Sequence, residues 1–194
     1  SGSALQHASG RLRRDAEVAL AAVRADGSAL VHASGSLRAR GDVVLAAVAQ
    51  EGAALAYAAG GLRKDRTFVL TAVHLNGLAL QYVDPKLRGD KQVVLAAIRS
   101  RPHALEHAAS ALKRDRSVVS IAVLQDPSAL VHVHEGLRGC DVFVHCLVAK
   151  QPGALQYASE ALRDKWEVVL GAVKQDVSCL RHASCRLRDD PSFV

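Results

Sequence analysis

The chain has 194 residues, of which 49% are hydrophobic and only 4% aromatic, and a formal net charge of +6. With 14 Gly and 5 Pro it is neither collagen-like nor disordered, and apolar runs such as residues 43–49 fall far short of the roughly 20 residues of a membrane span. Its core must come from close approach of Ala, Val and Leu, and the mild positive charge permits an acidic partner without demanding one.

No signal peptide or basic amphipathic presequence opens the chain. No Met occurs in it, so the chain is expected to start after processing or at a truncation. The four cysteines, Cys140, Cys146, Cys179 and Cys185, all lie in the last third. They imply no disulfide framework and fit reduced thiols in an intracellular, reducing compartment, cytoplasm or an organelle interior such as a plastid stroma.

Written in rows of 25, the chain aligns with itself without insertion or deletion. Leu5, Leu30, Leu55, Leu80, Leu105, Leu130, Leu155 and Leu180 form one column; Leu12, Leu37, Leu62, Leu87, Leu112, Leu137, Leu162 and Leu187 form a second. Ala4, Ala29, Ala54, Ala79, Ala104, Ala129 and Ala154 form a third, which Cys179 completes. Repeats start near residues 2, 27, 52, 77, 102, 127, 152 and 177, the last one truncated.

Each row reads as two short helices. In the second row Asp26 caps helix A, and Ala29, Leu30, Ala33 and Leu37 lie on one face of it. Later rows open helix A with Pro102, Pro127 and Pro152, where a missing N–H costs nothing. Asp15, Asp65, Asp90, Asp115 and Asp190 cap helix B, whose apolar residues, such as Phe68, Val69, Leu70, Ala72 and Val73, cover more than half its circumference. Helix B should be the more buried of the two.

Such helices are marginal alone and gain stability by stacking. The expected fold is therefore all-α, an α-solenoid of about eight two-helix repeats forming one array over residues 1–194. At about 8–10 Å per helix neighbour the array would be on the order of 70 Å long. The last row stops at Phe193 and Val194; further repeats or a partner are expected to cover that end.

The stretches "GSALVHASGSLR", "DRTFVLTAV", "GALQYASEALR" and "DKQVVLAAI" resemble a tandem-repeat domain of unknown function found in many copies in algae, other protists and some intracellular bacteria. The resemblance covers the whole chain. It implies an all-α repeat fold and long arrays in some members, and no activity. The family's distribution makes an algal photosynthetic complex one setting for this chain.

Two recurring columns are candidates for function. Arg13, Arg38, Arg63, Arg88, Lys113, Arg138, Arg163 and Arg188 put one cation in every row, opposite the apolar face of helix A. They would form either a surface ladder for phosphates or acidic segments, or a set of cations bonding the last carbonyls of their helices and pairing with an Asp two residues on. His7, His32, Tyr57, Tyr82, His107, His132, Tyr157 and His182 sit at the edge of the same face. The alternation with Tyr fits rings packed between repeats rather than ligands, and neighbours about 8–10 Å apart could not share one ion.

The sixth row departs from the pattern. It gathers His132, His134, Cys140, His145 and Cys146. His134, Cys140 and His145 are weak metal-ligand candidates around the A–B turn; no cofactor or metal is otherwise expected, and Cys146 and Cys179 read as small core residues. Val31 and Val131 interrupt an otherwise largely polar, variable column that also holds Gln6, Ala56, Gln81, Glu106, Gln156 and Arg181. Together with His134, His145, Phe193 and the single Trp166, which reads first as local packing, they are candidate partner contacts.

No phosphate loop, nucleophile elbow, zincin motif or dinucleotide fingerprint occurs. The expectation is therefore a non-catalytic scaffold or peripheral linker subunit making protein–protein contacts in a larger assembly. Nucleic-acid or polyanion binding through the Arg ladder is the alternative, and a metal- or pigment-associated role of the sixth repeat comes after it.

Overall fold

The structure is a computed structural model that describes residues 2–191, with side chains from Leu5 onward. Phe193, and the helix that Asp190 was expected to open, lie outside the described residues. Every regular element among the described residues is helical. The chain divides into two compact units, Ser1–Ala109 and Ser110–Val194.

The second row shows how the sequence builds a repeat. The Asp26 carboxylate accepts from the backbone N–H of Ser28 at 2.9 Å and from its hydroxyl at 2.6 Å. This cap starts the 3-10 helix Gly27–His32. Ala33 and Ser34 are then extended, with ψ of 154° and 156°. One further turn, Gly35–Arg38, precedes helix B, Gly41–Gln50.

Helix A is thus two pieces rather than one continuous helix, and the reason lies in the backbone. A 3-10 run has strained hydrogen-bond geometry and stays short. The extended pair frees the Ser34 N–H to donate to the carbonyl of Arg13 in the preceding row, at 2.9 Å. The Ser34 hydroxyl then caps the next turn at the Leu37 N–H.

This donation recurs as a stitch between rows. In the first unit Ala59 donates to Arg38 at 2.8 Å, Asp84 to Arg63 at 3.1 Å and Ala109 to Arg88 at 3.0 Å. In the second unit His134 donates to Lys113 at 3.2 Å and Ser184 to Arg163 at 2.9 Å. No column of residue types announces it, because donor and acceptor are both main chain.

Helix B follows the Asp caps closely. Asp15, Asp65, Asp90 and Asp115 each accept from two backbone N–H groups of the first turn. Arg40, Cys140 and Lys165 occupy the same position without a side-chain cap.

The core is made of the Leu and Ala columns and the inner face of helix B. Leu30, Leu55, Leu80, Leu105, Leu130 and Leu155 are fully buried, as are Val43, Val44, Ala47 and Val48. Each buried Leu contributes about 1.5–3 kcal/mol. No polar or charged residue is buried among the described residues. Leu12 departs from its column, being 45% exposed.

The small side chains allow very close stacking. A Cβ placed on Gly27 would lie 2.6 Å from the Ala47 carbonyl oxygen in helix B of the same row, and one on Gly77 would meet the Ala97 carbonyl of its own row closer still.

Candidate interaction surface

The column at the 3-10 surface varies from row to row and is largely open. Gln6, Gln81, Glu106, Gln156 and Arg181 are exposed, and Val31 and Val131 are 39% and 45% exposed. The structure therefore places these two valines on the surface, where the sequence put them.

The basic column lies differently from its helical-wheel position. Arg13, Arg38, Arg63, Arg88, Lys113, Arg138 and Arg163 are half-buried, and Arg188 is exposed. The extended pair after the 3-10 helix re-aims the following turn, so the cations lean into the next row instead of lining a free stripe. Arg13 bonds the carbonyls of Ala8 and Gln6 at 3.1 and 2.7 Å, as expected of a cation at a helix end. In Arg38, Arg63, Arg88 and Arg163 the Nε is buried without a hydrogen-bond partner. Nor does Arg63 pair with Asp65, whose carboxylate is taken by the N–H groups of Thr67 and Phe68.

At two of these cations the ring of the following row is a neighbour. Arg63 shares a shallow cavity with Tyr82. His182 is held below the ordinary imidazole range by burial first, then by Arg181 and Arg163. Most rings are half-buried, while His7 and Tyr57 are exposed.

The sixth row does not assemble a metal centre. His134 stands outside any helix and caps the turn Glu135–Arg138, its Nδ1 accepting from the Gly136 N–H at 3.1 Å; Arg114 approaches its Nε2 at 2.6 Å. Cys140 lies 3.7 Å from a nitrogen of Arg116. His145 is exposed and its ring rests against the space left by Gly171. The three are held by different neighbours, and no group of three or more His, Cys, Asp or Glu suited to a metal occurs among the described residues.

Of the two cysteines expected in the core, Cys179 is buried, and its thiol is pushed up by burial and by Asp176. Cys146 is exposed, on the open side of its helix B, where it borders grooves against both neighbouring rows. Trp166 is half-buried at the first position of its helix, Trp166–Val173.

Helix B of the sixth row, Asp141–Val148, carries what the residue-by-residue reading missed. Val142 is 69% exposed. The other rows place Glu17, Asp42, Thr67, Gln92, Ser117 and Glu167 in that column, and comparing the column would have revealed it. Val142, His145 and Cys146 form an exposed ridge at helical spacing. A groove runs along each side of it. One lies against Arg116–Gln125 and is lined by Leu124, Phe143 and Leu147, with Cys146 at its rim; the other lies against Trp166–Val173 and includes Val168, Lys165 and Glu167.

Ion pairs tie adjacent helices B at their openings. Arg66 bonds Asp90 at 2.7 Å and holds its carboxyl below the usual range. Lys165 pairs with Asp141, reversing the sign order. Between Arg116 and Cys140 the carboxylate is missing, and the Arg116 guanidinium lies 5.9 Å from the Phe143 ring centroid instead.

The model of the family described as "Domain of unknown function (DUF4116)" matches residues 1–38, 42–88, 90–138 and 143–188. The chain belongs to this family. The three later DUF4116 matches each span nearly two rows, so the family's unit is a pair of the 25-residue repeats. No curated protein and no solved structure matches the chain. Among the described residues of this DUF4116 protein no helix is long and apolar enough to cross a membrane.

Proposed function

We propose that this chain is a non-catalytic scaffold or peripheral linker subunit that makes protein–protein contacts in a larger assembly. The supporting observation is the contrast between columns. The Leu, Ala and cap positions repeat and are used up by packing and capping, whereas the surface column changes type from row to row and at Val31 and Val131 exposes a large apolar side chain. Varied side chains on a constant frame suit a shaped contact surface. An algal photosynthetic complex is one setting, suggested by the family's distribution. The half-buried basic column favours packing over a polyanion ladder.

Cross-linking mass spectrometry on native material tests the proposal. Cross-links from this chain to other subunits, concentrated on exposed residues such as Lys150, Lys174 and Lys64, are expected. Their absence, with the chain intact and reactive, would sink it.

A further inference from the structure

We propose that the groove between Arg116–Gln125 and Asp141–Val148 docks an acidic, amphipathic peptide segment of a partner protein; this names a partner chemistry for the scaffold role and rests on that reading. The groove has a volume of about 280 Å³ and is lined by Arg116, Leu124, Phe143, Cys146, Leu147 and Lys150 among others. Leu124, 42% exposed, and the exposed Cys146 form its open apolar wall, and beneath them lie the buried Phe143 and Leu147.

Charge complementarity selects the occupant. Arg116 stands at one end and Lys150 at the other, and no carboxylate lines the groove. The equivalent Arg66 in the third row is neutralised by Asp90. In the sixth row Cys140 has replaced that Asp, leaving Arg116 with a thiol and a ring face in its place. Lys150 is exposed, just past the end of the helix. Arg116 opens the helix Arg116–Gln125 and Lys150 follows the last turn of Asp141–Val148, so the cations flank a stretch on the order of two turns long. A segment with Asp or Glu at either end of an apolar stretch of two to three turns meets both cations and covers the floor. A basic segment would be repelled at both ends.

The test is selection of 16-residue peptides from a random display library on the intact chain, followed by affinity measurements on a synthesised representative. Enriched peptides are expected to carry acidic residues on both sides of an apolar stretch. Arg116→Glu and Lys150→Glu should each weaken binding about ten-fold, the latter at an exposed site away from the core. Cys140→Asp should restore the carboxylate to Arg116, weakening binding several-fold while raising the melting temperature, which separates lost recognition from lost folding. Peptides without acidic enrichment, affinity insensitive to both charge reversals, an empty selection, or poly(U) RNA bound with the same sensitivity to the variants would each overturn the proposal. The scaffold role itself is judged separately, by cross-links to other subunits.

Discussion

The backbone N–H of Ala59 donates to the carbonyl of Arg38, 2.8 Å away in the preceding row. Ala59 has φ of −56° and ψ of 142°, which proline adopts without strain. Ala59→Pro therefore removes the donor while keeping the backbone shape, and its ring crowds the Arg38 oxygen. A loss of about 1–2 kcal/mol is expected, measured by urea unfolding. An unchanged midpoint would mean that the stitch between rows carries no stability.

Glycines separate into two kinds. Gly27→Ala forces a Cβ against a backbone carbonyl that cannot swing aside, and should cost about 1–3 kcal/mol. Gly35 lies in a helical turn with nothing near its missing Cβ. Gly35→Ala should stabilise by about 0.5–1 kcal/mol. Thermal melts of the two variants moving in the same direction would contradict the packing described.

Asp65 opens helix B of the third row by accepting from Thr67 and Phe68 at 2.8 and 3.1 Å. Asp65→Ala should lower stability by about 0.5–2 kcal/mol. Asp65→Asn should retain most of it, since the amide oxygen still accepts. Equal losses from the two would point to charge, not capping.

Acid should weaken the fold in a defined window. Asp26 is held low by the Ser28 hydroxyl and then by its backbone N–H, Asp164 by Ser184 and then Arg186, and Asp90 by Arg66. In each the folded value lies below the unfolded one, about 3.9. Their contribution is full above that value and is lost as pH falls through the folded pKa. His182 adds in the same direction: its folded value is depressed, so the unfolded chain takes up the proton first as pH drops below about 6.5. Melting temperature should hold near neutrality, decline slightly below about pH 6.5 and fall steeply below about pH 4. Asp26→Asn keeps an acceptor at the cap and should shallow the acid limb; an unaltered limb would remove Asp26 from this account.

Much of this fold was legible in the sequence because its cause is local and periodic. Leu30 and Leu55 are buried where the columns put them, and Asp15, Asp65 and Asp90 cap where the turn chemistry predicts. The split of helix A was not legible. Ala33 and Ser34 are compatible with a helix on residue type, and their extended backbone is favoured by a donation to Arg13, a contact between rows that no spacing encodes. The half-burial of the Arg column followed from that same break. The ridge at Val142 was within reach, since it stands out by comparison down its column and not by any motif along its row. His134 and Cys140 drew attention as ligands, yet each is engaged with an arginine of the preceding row.

Because each stitch within a unit joins a row only to its immediate neighbour, a complete row is a removable part. Duplicating or deleting 25 residues in register at a stitched junction leaves the main-chain donor facing an equivalent acceptor. Unequal recombination between gene segments encoding whole rows would therefore change the reach of such a protein without creating an unpaired backbone group. Length itself becomes a heritable variable, adjustable independently of the side chains that meet a partner.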